Sequence, residues 1–161
     1  MKRSPVWHPF TQHALNPKSI FIERSQGAYV TTDNGKHLFD AISSWWVITH
    51  GHRHPKIMSA IRSQTKKLDQ VIFAGFTHGP AEEVGEKLLK KVKFSLNNNA
   101  LQHIFFSDSG ATAVEVGLKM ALSYWRNIGE NRTRIVALEH GYHGDTIGTM
   151  SLGMRGIFNA A

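Results

Sequence analysis

In the stretch FFSDSGATAVE, Phe105 to Glu115, a run of apolar residues gives way to small and hydroxylic ones that lead straight into a helical pattern. Ser109, Gly110, Ala111 and Thr112 then fall in the first turn of a helix. The first N–H groups of a helix have no partner inside it, and the aligned peptide dipoles put partial positive charge there. Small side chains let an anion approach that backbone closely, and a phosphate is the natural occupant. The alternative is a plain N-cap, with Ser107 or Ser109 capping the helix and nothing bound, and on this stretch alone it leads. Neither a GxxxxGK(S/T) loop nor GxGxxG spacing is present, which disfavours nucleoside triphosphates and dinucleotides.

EHGYHGDT, Glu139 to Thr146, is the second informative stretch. In an open parallel sheet, loops at the carboxyl ends of the strands meet in one crevice, so Tyr142 and His143 belong near the Ser109 corner. An aromatic ring there can stack on a flat cofactor bound through its phosphate, or it can simply cover the sheet edge. Histidines suggest a different chemistry. HGHRH places His50, His52 and His54 at alternate positions, and HGYH adds His140 and His143, a set that raises a metal-dependent hydrolase. Gly51 and Pro55 break a strand there and no carboxylate completes a ligand set, so no metal is assigned. His50 and His52 are instead expected as loop residues held by hydrogen bonds, and His54 as the cap of a helix that starts at Pro55.

The elements that must position these groups follow from turn chemistry and periodicity. GAYVTTDNGKHLFDAI, Gly27 to Ile42, has two β-prone runs around Asp33-Asn34-Gly35 and predicts a hairpin. Pro55 opens a helix to about Leu68, with Ile57 and Ile61 at helical spacing. Pro80 opens another, with Val84, Leu88 and Val92 on one face, and the asparagines of SLNNNA close it. LQHIFFSDS then reads as a buried strand, GATAVEVGLKMALSYWRN as a helix, RTRIVALEH as a strand and GDTIGTMSLGM as a short helix. Strand, helix, strand, helix implies βαβ units. The predicted fold class is thus α/β: an antiparallel N-terminal piece followed by the start of a mainly parallel sheet with flanking helices. Residues 1–48 are expected to form one part and 49–161 the other. Two parallel strands are few for sheets that are normally buried on both faces, so the sequence reads as cut short.

Composition narrows the class. The chain has 161 residues, 41% hydrophobic and 19% charged, enough to bury roughly 70% of its unfolded surface if self-contained. Its net charge of +7 raises nucleic acid as a partner, but the basic residues alternate with apolar positions of amphipathic helices, as in EVGEKLLKKVK, and solvated helix faces explain them better. No apolar h-region follows the basic start and no 18 apolar residues run together, so neither a membrane span nor a leader is expected and a cytoplasmic location is the default. With no cysteine, disulfides and thiolate chemistry are excluded.

SDSGATAVEVGLKMA, GYHGDTIGTMS, SSWWV, HGHRHP, FAGFTHGPA and WHPFTQ together resemble the class III, fold-type I aminotransferases, over nearly the whole chain from Trp7 to about Met154. Within that family, WHPFTQ and SSWW point to the branch that makes 7,8-diaminononanoate for biotin. The resemblance implies pyridoxal 5'-phosphate as cofactor, S-adenosylmethionine as amino donor, 8-amino-7-oxononanoate as acceptor, and a homodimer. It assigns Gly110 and Ala111 to the cofactor phosphate through their backbone N–H groups, and Tyr142 to the cofactor ring and the substrate site. Many relatives have serine where this chain has Ala111, so one hydroxyl contact is absent. Trp45, with Trp46 beside it, matches a substrate-contacting tryptophan. Phe10 stands where some relatives have tyrosine that recognises both substrates, and its ring can still stack.

In such enzymes a lysine forms the internal Schiff base and shuttles the proton, and an acid pairs with the pyridine nitrogen. The resemblance sets both well beyond GYHGDT and gives Lys119 no catalytic role. No catalytic residue is therefore expected on this chain, which is read as a fragment inactive alone. A non-catalytic interaction module, or another class III omega-aminotransferase, is the alternative.

Overall fold

In the computed structural model, which describes residues 4–15, 18–97, 100–154 and 156, a three-stranded antiparallel meander comes first. Its strands are β1 (Ile22–Gln26), β2 (Tyr29–Thr32) and β3 (His37–Phe39), in that spatial order. The β2–β3 turn is the expected one. Gly35 N–H donates to Thr32 O at 2.9 Å and Gly35 takes φ +83°, which an Asp-Asn-Gly turn accommodates without steric cost. Pairing of Thr31 with His37 and of Tyr29 with Phe39 fixes the register, and the Tyr29 and Phe39 rings meet edge to face at 5.6 Å. β1 was not foreseen. It pairs with β2 across the two-residue loop Gly27-Ala28, Gln26 opposite Tyr29, and Gly27 at φ +57° sits at the first loop position, where a glycine favours such a hairpin.

The chain leaves β3 through Asp40, which organises the segment up to His52. Its carboxylate accepts from Ser44 N–H at 2.9 Å, from the Ser44 hydroxyl at 2.7 Å and from His52 Nε2 at 2.7 Å. A carboxylate only accepts, so Nε2 carries the proton. Between these partners lies α1 (Ser43–Trp46), one helical turn of the opposite hand: Ser43, Ser44, Trp45 and Trp46 have φ between +46° and +67°. L-residues in that conformation cost roughly 1–2 kcal/mol each. The three bonds to Asp40 hold the turn against that strain. Gly27 and His52 also pair as an isolated antiparallel bridge, and Gly51, at φ +80°, passes so close that a Cβ there would lie 3.3 Å from Gly27.

α2 (Pro55–Thr65) begins at Pro55 as predicted but ends before Leu68, because Lys67 N–H closes a tight bond back to Gln64 O. His54 precedes it without capping: its side chain makes no cap bond and its Nδ1 is buried without a partner, so the expected histidine cap is replaced by an edge contact with His50 at 6.2 Å. His50 and His52 hold loop positions through Thr49 and Asp40, as expected.

These elements belong to one compact unit, Met1–Phe76; a second spans Thr77–Ala161. The second holds α3 (Gly79–Leu96), α4 (Gly110–Asn127) and α5 (Ile147–Leu152). His78 Nδ1 accepts from Ala81 N–H at 3.2 Å and Pro80 sits in the first turn of α3, while Asn97 ends it in the left-handed conformation. Asn98 and Asn99 of the expected closing tract lie outside the described residues.

The two segments expected as parallel strands, LQHIFF and RIVALE, join no ladder among the described residues. A strand is assigned through the ladder that takes its N–H and C=O groups, and the sheet ladders among the described residues are those of β1, β2 and β3. Apolar side chains tell the same story. No hydrophobic residue among those described is buried, and the fully buried side chain is Thr149. The accessible surface is 14499 Å², against about 8,000 Å² for a self-contained monomer of this mass. The burial expected of a self-contained chain is not reached: among the described residues the helices present exposed amphipathic faces.

Asp40 gives this fold a defined acid response. The Ser44 N–H, then the Ser44 hydroxyl and His52, hold its carboxyl at about 2, below the ordinary 3.8. A depressed acid stabilises the fold above its unfolded pKa and loses that contribution as the pH falls through the folded one. The near-UV circular dichroism of the Trp45–Trp46 turn is expected to stay constant from pH 7 to about 4 and to collapse between about 4 and 2. A loss complete by pH 5 would contradict the anchor.

Candidate active-site corner and aromatic wall

Helix α4 opens on the corner that the sequence singled out. Ser109 is its N-cap, in extended conformation, with its hydroxyl accepting from Thr112 N–H at 3.1 Å while Thr112 Oγ1 accepts from Ser109 N–H at 2.9 Å. This reciprocal capping box engages the N–H groups of Ser109 and Thr112, and Ser107 adds a hydroxyl bond to Thr112 Oγ1 at 2.7 Å. Ala113 N–H already bonds Ser109 O. Among the described residues no acceptor meets the N–H groups of Gly110 and Ala111, the two that the family resemblance assigns to a phosphate. The corner is thus capped and also open, so the two sequence readings are compatible.

Gly110 provides a test of fit. Its backbone is not in a glycine-only region, and a Cβ built on it would meet nothing within 4 Å. Among the described residues neither strain nor a neighbour requires glycine there, and the missing side chain leaves room for an anion to approach the backbone closely. The residues present therefore suit the phosphate of pyridoxal phosphate.

The GYHGDT loop is packed directly on this corner. Gly144, at φ +130°, lies so close that a Cβ would stand 2.7 Å from Cα and Cβ of Ala111 and 2.8 Å from Thr149 Oγ1. Tyr142 belongs to the same loop. Its ring is 77% exposed, free to stack, and its hydroxyl donates to Asp145 Oδ2 at 2.8 Å. That bond, with lesser desolvation and the Asp145 charge, pushes the phenol above its ordinary pKa, so Tyr142 stays a neutral donor. Glu115 ties loop to helix: its Oε2 accepts from Thr146 Oγ1 at 2.5 Å and from Thr149 N–H at 3.0 Å. Gly148 passes against the same carboxylate with no room for a Cβ. His143 does not join the site as a donor, since its Nε2 is buried without a partner.

Phe10, Trp45 and Trp46 belong to the first unit, where the structure brings all three together. Phe10 stacks on Trp45 with centroids 5.5 Å apart and planes 13° from parallel, and Trp45 meets Trp46 edge-on at 6.0 Å. Phe10 also takes a left-handed φ of +52°. All three rings are largely exposed, so they form an aromatic surface available to a ligand.

Glu115, Asp145, Gly144 and Gly148 were not singled out by the sequence. The signal was present: two glycines four apart after a strand-like run mark a backbone pressed against something, and a carboxylate two turns into a helix can reach it. Among the described residues no group of three or more His, Asp or Glu is placed to hold a metal ion.

The model of the class III aminotransferase family matches residues 10–157. An adenosylmethionine-8-amino-7-oxononanoate aminotransferase of Synechococcus elongatus is 48% identical over 155 residues, covering 96% of this chain and 35% of that protein. The solved structure of the enzyme of that name from Methanocaldococcus jannaschii is 36% identical and superimposes with a TM-score of 0.79, over 92% of this chain and 34% of that one. An amine transaminase from an uncultivated Pseudomonas species, solved in its PLP-bound form, gives 30% identity and a TM-score of 0.83, over 98% and 36%. The chain spans about a third of the length of the curated relatives it matches. These matches carry the predicted fold class, a partial α/β fold of the fold-type I transferases, although the described residues form only its antiparallel sheet and helices. With the open Gly110–Ala111 corner and the packed GYHGDT loop on the same match, the chain belongs to the class III aminotransferases.

Proposed function

We propose that this chain supplies the phosphate corner, the ring-covering tyrosine and an aromatic substrate wall of a pyridoxal-phosphate aminotransferase. The observation that carries the reading is the pair of unengaged N–H groups at Gly110 and Ala111, with the tyrosine loop pressed onto Ala111 through Gly144. Residues 1–48 are assigned to the small part of the enzyme and 49–161 to the cofactor-binding part.

When bound, pyridoxal phosphate supplies the electron sink through which an amino group is moved. Gly110 and Ala111 hold its phosphate, aided by the positive end of the 18-residue helix α4. Tyr142 covers the ring, with its hydroxyl fixed by Asp145. Phe10, Trp45 and Trp46 offer flat surfaces to substrate, which suit the adenine of S-adenosylmethionine and the chain of 8-amino-7-oxononanoate. The motifs WHPFTQ and SSWW and the 48% identical relative support this substrate pair and hence a place in biotin synthesis. The same reading takes the enzyme to be a cytoplasmic homodimer; no helix among the described residues is long and apolar enough to cross a membrane.

No lysine of this chain is given the Schiff-base role. Lys119, the one lysine on α4, stands about 13 Å along the axis from Gly110.

Three outcomes test the reading. In equilibrium dialysis the chain is expected to bind pyridoxal phosphate, and to bind pyridoxal, which lacks the phosphate, at least about tenfold more weakly, as loss of charge-assisted hydrogen bonds requires. Gly110→Val, which puts a branched side chain into the open approach without altering φ, is expected to weaken pyridoxal phosphate to a similar degree with helicity retained. Equal binding of the two compounds would overturn the phosphate assignment. Borohydride reduction of the bound chain followed by digestion is expected to label no lysine stoichiometrically; one fully labelled lysine together with transamination would sink the assignment of the catalytic centre elsewhere.

A further inference from the structure

Glu115 lies in the second turn of α4, one turn beyond Ala111, and is not among the residues expected to touch cofactor or substrate. Even so, it makes the side-chain bonds that join α4 to the segment carrying Tyr142. One oxygen, Oε2, accepts both the Thr146 hydroxyl at 2.5 Å and the Thr149 N–H at 3.0 Å. Thr149 is the fully buried side chain among the described residues, 1% exposed, and Thr146 and Thr149 also share a hydroxyl bond at 2.9 Å. The backbone makes room for the carboxylate by placing Gly148, with no Cβ, against it.

Both partners are donors, so the chemistry calls for a pure acceptor on a side chain of this length. Asp145, the neighbour of Thr146, in turn holds the Tyr142 hydroxyl. The chain of contacts therefore runs from α4 through Glu115 to Thr146 and Thr149, then through Asp145 to the phenol. The turn of Gly110 and Ala111 has bonds of its own in the capping box of Ser109 and Thr112, although Gly144 packs against Ala111.

We infer that Glu115 is a positioning residue for the cofactor site: its carboxylate clamps the Tyr142–Thr149 segment onto α4 and so sets where the tyrosine ring stands over whatever the Gly110–Ala111 corner binds. The identity of the ligand rests on the proposed aminotransferase function; the clamp rests on the hydrogen bonds alone. Separating the ring from the corner gives the inference a signature that general loss of structure lacks. Removing the clamp frees the ring and leaves the phosphate corner intact.

The test uses the full chain and its Glu115→Ala, Glu115→Gln and Gly148→Ala variants, with inorganic phosphate and pyridoxal phosphate as probes and amide hydrogen exchange at Thr149 as an independent readout. Losing the acceptor is expected to speed Thr149 exchange and to weaken pyridoxal phosphate, each by about tenfold or more, in Glu115→Ala and in Gly148→Ala, whose new methyl displaces the carboxylate. Affinity for inorganic phosphate stays within about twofold, since its donors are untouched. Glu115→Gln, which keeps an acceptor oxygen, stays near the parent chain. Unchanged Thr149 exchange in Glu115→Ala would overturn the clamp, and equal weakening of both probes would reduce Glu115 to a general support of α4. Should the parent chain bind neither probe, the cofactor reading fails, and Thr149 exchange still decides the clamp: slow in the parent and faster in Glu115→Ala supports it, fast in both overturns it.

Discussion

The N-terminus of α4 is satisfied in two of its donors, those of Ser109 and Thr112, and open in the two between them, and the rest of the corner depends on that division. Ser109 and Thr112 exchange hydrogen bonds, so the turn keeps its shape without borrowing the N–H groups of Gly110 and Ala111. A helix start that used all its donors in capping would be stable and useless for binding. One that used none would fray. Gly144 presses on Ala111 at its Cα and Cβ, while a Cβ on Gly110 would meet nothing within 4 Å among the described residues.

The first unit shows a different solution to the same problem of holding a surface in place. Four consecutive residues, two of them tryptophans, adopt a hand that costs free energy at each position. Strain of this kind persists where surrounding bonds over-determine it, and Asp40 supplies three, tying the turn to His52 and hence to the bridge with Gly27. The result is that Trp45 faces Phe10 in a nearly parallel stack and leaves the other faces of the rings exposed. The strained turn and the exposed stack it carries are tied to the same carboxylate.

Local chemistry made much of this legible. The Asp-Asn-Gly turn, Pro55, Pro80 and the Ser109 corner each act through neighbouring residues, and each was read correctly from the chain. Three features were not. β1 has weak strand propensity and exists through its pairing with β2. The left-handed turn at SSWW contains no glycine, so nothing in its composition announces a positive φ. Glu115 meets residues 31 and 34 positions away, a contact no local pattern encodes. The segments expected as parallel strands join no sheet ladder among the described residues, and their apolar sequence is suited to burial on both faces of a larger sheet.

The exposed apolar faces of α2 and α3 agree with the third of the relatives' length that this chain spans, since amphipathic helices bury their stripes against layers that a small part of a domain does not hold. The proposed cofactor recognition by the corner does not require those layers, because its donors are backbone groups fixed by adjacent side chains. Backbone amide chemical shifts during titration with pyridoxal phosphate, inorganic phosphate and pyridoxal put that claim to the most direct test. The account predicts that the Gly110 and Ala111 amides move with both phosphate-bearing compounds and stay still with pyridoxal. Unmoved Gly110 and Ala111 amides, with shifts gathered elsewhere on the chain, would contradict it.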